Sequence, residues 1–156
     1  MTGGAPRLIL SAADRNTLRA GAEAAYPNEY CSLLVGVDEG PASYRVARIV
    51  PAANVHPQPR TNFELDPRVL IATLRELRET GRAGQGEGER LLGHAHSHPN
   101  GAAQPSAQDA ALAHEAGLFW LVMAVRDGTA EDMNAFRAII GERDSATFEA
   151  VSINIR

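Results

Sequence analysis

The apolar and polar positions in the first third of the chain predict a strand, a helix and a β-hairpin. Residues 7–10 form a short apolar run. Residues 11–25 begin with a Ser and carry an Asp three positions later, which is typical of a capped helix start. The continuous apolar run at residues 30–37 suits a buried strand, and residues 43–50 alternate well enough to pair with it. The Asp-Glu-Gly-Pro stretch between these runs indicates a hairpin connection.

The middle of the chain predicts a loop and a second helix. Residues 51–61 contain three prolines and no clear period, so they predict a loop before a short extended piece at residues 62–65. The Asp-Pro pair that follows suits a helix start, and leucines at helical spacing predict an amphipathic helix that ends near Gly81. The glycine-rich residues 81–88 predict a flexible connection.

The last part of the chain predicts four more strands and a third helix. Residues 90–98 begin apolar and become His-rich, as a buried strand does when it emerges at a functional edge. Ser106 is predicted to open the third helix and Gly117 to close it. The remaining strands are predicted at residues 119–125, 133–140 and 147–153. Strands and helices mix without a repeat, so we expect an α/β fold over residues 1–156, a single domain with a mixed sheet flanked by helices.

Composition and charge exclude several classes of function. The formal net charge of −4 argues against the basic surface that nucleic acids require. The longest apolar runs are far shorter than the roughly 20 residues of a membrane span, and the N-terminus does not resemble a signal peptide. We therefore expect a cytoplasmic protein that binds neither nucleic acid nor a membrane.

The histidines and one carboxylate predict a metal site. Cys31 is the only cysteine, so any transition metal depends on His and carboxylate ligands. Side chains two apart in a strand share a face, and His96 and His98 can therefore present two imidazoles to one point. Catalytic zinc sites combine three protein ligands with an open position for water. Asp109, eleven residues after His98, is the candidate for the third ligand.

Several of these residues have a second interpretation. Ser106 and Asp109 suit the N-cap and third position of a helix, which is compatible with metal binding because a capped helix start fixes a ligand's orientation. His94 shares the strand face of His96 and can equally pair with it, although we place it in the buried stretch as support for the ligands. Cys31 lies inside an apolar strand pattern, where we expect it to pack rather than to react.

Three segments together resemble the JAMM (MPN+) metallopeptidase family. Gly93–Pro99 has the sequence GHAHSHP and Pro105–Asp109 has the sequence PSAQD, which match the family signature H-S-H-P…S-x-x-D. Pro27–Gly36 has the sequence PNEYCSLLVG and matches the P-x-E-x-C-x-L-L-x-G context of the family's general acid/base. Asn54 and residues 63–67 match more loosely, so the similarity covers most of the chain.

The resemblance implies a role for each matched residue. It makes His96, His98 and Asp109 the ligands of a zinc ion. It makes Glu29 the group that takes the proton of the attacking water, and Ser106 the donor of a hydrogen bond to the developing oxyanion. It also implies the JAMM/MPN architecture, which is similar to that of cytidine deaminases.

The resemblance further implies a reaction and a partner. JAMM enzymes hydrolyse amide or isopeptide bonds after the C-terminal glycine of ubiquitin-like proteins, and small prokaryotic members act on sulfur-carrier proteins. We therefore expect a zinc-dependent metallopeptidase or isopeptidase. Its protein substrate is expected to carry an extended C-terminal Gly-Gly tail that lies along a strand edge.

Two other classes of protein are alternatives to this interpretation. The first is a noncatalytic MPN-type scaffold whose structural zinc site is closed by four protein ligands, and His94 is the nearby candidate to close it. His94 also departs from the family, since an aromatic residue is common at that position. The second is a zinc nucleoside deaminase, which one cysteine excludes because the H-x-E…P-C-x-x-C ligands require two.

Overall fold

Seven strands and three α-helices form the regular structure of the computed structural model, which describes residues 4–82 and 88–156. In chain order they are β1 (Arg7–Leu10), α1 (Ala12–Ala25), β2 (Cys31–Asp38), β3 (Ser43–Ala52), α2 (Pro67–Arg82), β4 (Arg90–Pro99), α3 (Ala107–Leu112), β5 (Phe119–Arg126), β6 (Thr129–Ile140) and β7 (Ala146–Ile155). A 3₁₀ turn at Glu142–Asp144 joins the last two strands.

The strands close into a barrel in the order β1-β3-β2-β4-β5-β6-β7. β1 completes the ring because it pairs in parallel with both β3 and β7. β4 and β5 also run parallel, so the chain must cross from the end of β4 to the start of β5, and this crossover carries α3. The carboxyl end of a parallel strand, where α3 begins, is a common place for a binding site in α/β folds.

The main hydrophobic core draws on all seven strands and on α1. α1 contributes Leu18 and Ala22, which are completely buried. Full burial of a leucine stabilises the fold by about 1.5–3 kcal/mol. β4 and β5 approach each other closely at Gly93, where a Cβ atom would collide with the backbone of Phe119. This packing holds β4 rigidly along the stretch that leads to its histidines.

The register between β2 and β4 determines what lies opposite those histidines. In this antiparallel pair Cys31 is opposite His96. Tyr30 N–H donates to Ser97 Oγ at 2.8 Å, and Ser97 N–H donates to Tyr30 O at 3.1 Å, so the pairing continues one residue beyond β2. The same register places Glu29 opposite His98.

The structure confirms the predicted strands and helices, and only two of their bounds differ by more than two residues from the prediction. α3 ends at Leu112, and the φ of 86° at Gly117 belongs to the turn before β5 rather than to a helix end. β6 begins at Thr129 rather than at residue 133, because Asp127 and Gly128 both have positive φ and join β5 to β6 in a two-residue turn.

Two further expectations concern the connection after α2 and the lack of a membrane-spanning segment. Most of the connection predicted at residues 81–88 lies outside the described residues. Among the helices of residues 4–82 and 88–156, none is long and apolar enough to span a bilayer.

Candidate metal centre

β4 and the start of α3 bring His96, His98 and Asp109 to one point. The two histidines project from the same side of β4, and Asp109 reaches them from the first turn of α3. The Nε2 atoms of His96 and His98 lie 3.1 Å apart, and Asp109 Oδ2 lies 3.2 Å from each of them. The three ligand atoms therefore form a nearly equilateral triangle.

This triangle fits a zinc ion. Ligand atoms bonded to zinc at about 2.0–2.1 Å in a tetrahedral site lie about 3.3–3.4 Å apart, close to the observed separations. His98 Nδ1 lies 2.8 Å from the Ala102 carbonyl oxygen, which can only accept a hydrogen bond. Nδ1 therefore carries a proton, so the neutral form of the His98 ring has its lone pair at Nε2, aimed at the centre of the triangle.

Burial and mutual contacts shift the pKa values of the three side chains in the triangle. Burial lowers the pKa of His96, whose side chain has no exposed surface. Burial alone would raise the pKa of Asp109, but the hydrogen bonds from His96 and His98 outweigh it and hold that pKa well below its usual value. Burial opposes protonation of His98 too, but the contacts led by the hydrogen bond with Asp109 together outweigh it and raise the pKa of His98, and a metal that binds Nε2 must displace the proton of the protonated ring.

A capping box orients Asp109 at the start of α3. Ser106 Oγ accepts the Asp109 N–H at 3.1 Å, and Asp109 Oδ2 accepts the Ser106 N–H at 2.7 Å. The capping box predicted for Ser106 and Asp109 is present, and it is compatible with the ligand role predicted for Asp109. Ser106, Glu29 and His98 line one cleft of about 360 Å³, into which the Ser106 hydroxyl can donate its own proton.

Glu29 lies beside the triangle rather than within it. The distance from Glu29 Oε1 to His98 Nε2 is 3.6 Å, longer than the 3.2 Å from Asp109 Oδ2 to the same atom. The Glu29 side chain is almost fully buried. Burial raises the pKa of Glu29 from 4.5 to about 7, and the nearby His98 offsets part of that effect. Glu29, His96 and His98 by themselves are also close enough to share an ion. Glu29 is thus placed either to exchange a proton with a water at the centre or to act as a ligand.

His94 packs against aromatic rings instead of joining the triangle. Its ring centroid is 4.2 Å from that of Trp120 and 6.0 Å from that of His96. His94 Nδ1 is buried and has no hydrogen-bond partner among the described residues. Burial, and then the neighbouring His96, lower the pKa of His94 to about 3, so the ring is neutral. The geometry favours His98 over His94 as the partner of His96.

Cys31 behaves as a packing residue. It is buried in β2, and its Sγ lies 3.6 Å from the Ala52 carbonyl oxygen. Burial raises the pKa of the thiol to about 12, which removes the thiolate that a nucleophile needs. This environment agrees with the packing role expected from the sequence.

Two residues of the site were given no role by sequence reasoning. Phe63, in the short extended piece at residues 62–65, stacks on the His96 ring with centroids 4.5 Å apart. Ser97 ties β4 to Tyr30 by the two hydrogen bonds described above. Ser97 is part of the H-S-H-P signature, but sequence reasoning assigned no role to its side chain, which strand alternation turns away from the side of His96 and His98.

The family of the chain follows from a match that covers most of its length. The family described as "Prokaryotic homologs of the JAB domain" matches residues 11–139. The chain therefore belongs to the prokaryotic JAB family. This confirms the predicted relationship to JAMM/MPN proteins.

Two curated relatives have names that describe enzymes acting on protein conjugates. A probable TtuB-protein conjugate cleaving protease of Thermus thermophilus is 42% identical over 64 residues, which are 41% of this chain and 38% of that protein. A desampylase of Haloferax volcanii is 31% identical over 120 residues, 74% of this chain and 79% of that protein. The chain thus matches less than half the length of the first relative. The predicted class of enzyme, a JAMM-type hydrolase, agrees with both names.

Solved structures show the same fold. Protein DSY2949 from Desulfitobacterium hafniense has a TM-score of 0.74 and 29% identity, with 96% of this chain and 92% of that chain covered. AF2198, a JAB1/MPN domain protein from Archaeoglobus fulgidus, has a TM-score of 0.53 over 97% of this chain and 99% of that chain. Its 13% identity makes it a match of fold alone. Both agree with the predicted JAMM/MPN architecture.

Proposed function

We propose that the chain is a zinc-dependent hydrolase that cleaves the bond after the C-terminal glycine of a ubiquitin-like or sulfur-carrier protein. The observation that carries this proposal is the triangle of His96, His98 and Asp109, with the buried carboxylate of Glu29 beside it and a cleft of about 360 Å³ that Glu29 and His98 line. The names of the desampylase and of the conjugate-cleaving protease support the choice of substrate.

The residues around the triangle can divide the steps of amide hydrolysis between them. His96, His98 and Asp109 would hold the zinc ion, which when bound would supply Lewis acidity toward a water and the scissile carbonyl. Glu29 takes a proton from the attacking water and delivers it to the departing nitrogen, and its pKa of about 7 in the metal-free site suits both transfers. The Ser106 hydroxyl donates a hydrogen bond to the oxygen that gains negative charge as the water adds.

The segment at residues 62–66 offers a place for the substrate tail. Its inner edge pairs with residues 53–55, through Val55 N–H to Glu64 O at 2.8 Å and Asp66 N–H to Ala53 O at 3.0 Å. Phe63 and Leu65 turn their backbone N–H and C=O groups to the opposite side. Within residues 4–82 and 88–156 these groups have no hydrogen-bond partner.

An extended tail can add to this outer edge as one more strand. Phe63 also stacks on the ligand His96, so the edge leads directly to the metal centre. Two cavities, of about 530 and 300 Å³, flank the edge, and both are lined by Phe63, Leu65 and His94. Side chains of the tail can enter these cavities. Glycines at its end suit the crowded approach to the buried triangle, which supports a Gly-Gly terminus.

The test is hydrolysis of ubiquitin-like fusions encoded by the same genome, with and without a chelator. Glu29→Gln should bind as much zinc as the wild type and lose at least about a hundredfold in kcat, because the ligands remain while the base is lost. Glu23→Gln, the same substitution on the exposed side of α1, is the matched control and should keep full activity. A zinc-loaded wild type that cleaves none of the fusions would contradict the proposal.

The noncatalytic scaffold with a structural zinc site is the alternative, and the same variant separates the two. Glu29 Oε1 is the carboxylate close enough to close the site as a fourth ligand. In that case Glu29→Gln weakens zinc binding, since a neutral amide is a poor zinc ligand, and the wild type shows no hydrolysis.

A further inference from the structure

Asn54 forms a hub of hydrogen bonds between two parts of the site. Its Nδ2 donates to the carbonyl oxygens of Glu29 and Asn62, both at 3.0 Å. Its Oδ1 accepts from the backbone N–H of His56 at 3.1 Å and of Glu64 at 3.0 Å. A side-chain amide has two N–H donors and two acceptor lone pairs, so all four are used.

The chemistry of this hub requires an asparagine. The side-chain nitrogen faces two carbonyl oxygens and the side-chain oxygen faces two N–H groups, so a flipped amide would reverse every contact. Aspartate keeps the two acceptor contacts but places an oxygen against the carbonyls of Glu29 and Asn62. The hub is therefore specific in its orientation and in its residue type.

Asn54 holds the backbone of Glu29 by a hydrogen bond, on the side where a cavity adjoins Glu29. The Glu29 N–H donates to Pro59 O at 2.7 Å, and its carbonyl accepts from Asn54, so the loop at residues 54–62 binds both backbone groups of Glu29. A cavity of about 280 Å³ lies behind this backbone, lined by Asn28, Glu29, Asn54 and Pro59 among others. Hydrogen bonds to the loop therefore fix the position of Glu29 on that side.

The other contacts of Asn54 lead to the segment proposed to receive the substrate tail. Asn62 and Glu64 alternate with Phe63 and Leu65, whose backbone groups face the opposite edge. One side chain thus connects the Glu29 backbone with the inner edge of that segment.

We propose that Asn54 is a positioning residue that couples the tail-binding segment to Glu29. This inference rests on the proposed function. A tail that pairs with Phe63 and Leu65 stiffens the segment, and Asn54 transmits that order to the Glu29 backbone. The carboxylate is then held at the distance from the metal centre that proton transfer requires.

The kinetic test is a double-mutant cycle with a ubiquitin-like fusion as substrate. Asn54→Asp should lower kcat about 10–100-fold with zinc content unchanged, because the base is displaced while the ligands are not. Asn28→Asp, which adds the same charge on an exposed side chain next to Glu29, should stay within about twofold of the wild type. In a Glu29→Gln background, Asn54→Asp should cause almost no further loss. The same fold loss in both backgrounds would mean that Asn54 does not act through Glu29 and would overturn the proposal.

Amide hydrogen exchange gives a second readout that needs no activity. In Asn54→Asp the Glu29 amide should lose at least about tenfold of its protection, while the Ser97 amide, bonded to Tyr30 O, keeps its own. Unchanged protection at Glu29 would overturn the proposal. If Asn54→Asp does not fold, Asn54→Ser takes its place in both measurements. A wild type that cleaves no fusion contradicts the proposed function, whereas the exchange result still decides the role of Asn54.

Discussion

Replacing Ser106 with alanine separates its two roles at the start of α3. Loss of an N-cap such as the contact from Ser106 Oγ to the Asp109 N–H costs about 1 kcal/mol of folding free energy. For a chain of 156 residues this lowers Tm by about 3 °C. If the hydroxyl also serves the oxyanion, kcat falls about 10²–10³-fold in addition.

The chain contains a matched control for the cap. Ser11 Oγ accepts the Asp14 N–H at 2.9 Å at the start of α1, so Ser11→Ala removes the same kind of contact outside the metal centre. This variant should lower Tm by about the same 3 °C and leave kcat within about twofold of the wild type. Any loss of kcat in Ser106→Ala beyond that of Ser11→Ala is then caused by the loss of the hydroxyl at the metal centre, not by the loss of a helix cap.

The assay compares kcat at saturating substrate, well below the Tm of both variants. Zinc content should stay at the wild-type value in Ser106→Ala, because the bond that orients Asp109 Oδ2 comes from the backbone N–H of Ser106, which alanine keeps. A Ser106→Ala protein with lowered Tm and wild-type kcat would refute the oxyanion role and leave Ser106 as a cap alone.

Three further predictions test the electrostatics, the tail edge and His94. In the metal-free chain burial raises the pKa of Glu29 from 4.5 to about 7, so the folded state keeps a proton that the unfolded chain releases, and stability falls as pH rises through this window. Thermal unfolding of the two proteins in chelator measures this effect. The Tm of Glu29→Gln minus that of the wild type should increase from about pH 4.5 to 7 and stay level above pH 7. A difference that does not change with pH would contradict the burial argument. Substrate tails methylated at one backbone nitrogen at a time should show a KM raised about 2–10-fold at alternate positions if they pair with Phe63 and Leu65, and uniform effects argue against strand addition. His94→Ala should retain zinc, because the His94 ring lies outside the ligand triangle, and zinc loss measured by elemental analysis would make His94 a ligand.

Local patterns in the sequence were enough to predict that His96, His98 and Asp109 converge at one point. Strand alternation places His96 and His98 on one face whatever the rest of the fold does. A Ser-x-x-Asp helix start has few ways to orient its acid, and Asp109 was the candidate that followed the two histidines at such a start. Both arguments need only short-range geometry.

The parts that could not be predicted depend on residues far apart in the chain. The barrel closes because β1 pairs with β7 across more than a hundred residues, and no local pattern marks that pairing. The contacts of Asn54 with Glu29 and of Phe63 with His96 join segments far apart in the chain, and neither the loop at residues 51–61 nor the short piece at residues 62–65 has a pattern that marks them. Sequence reasoning placed Glu29 beside the metal only through the family motif, whereas the β2–β4 register accounts for it physically.

That register also limits how the two strands can change in length. The pairing of Cys31 with His96 sets Glu29 opposite His98, and a strand that slips by one residue turns every side chain to the other face. One residue inserted between Cys31 and Leu34 would therefore move the acid away from the ligands, whereas the register shift already present after Leu34 can absorb a change farther along the strand. We expect related proteins to differ in the length of β2 and β4 beyond that register shift, on the side away from Glu29. The stretch at residues 31–34 should carry no insertions.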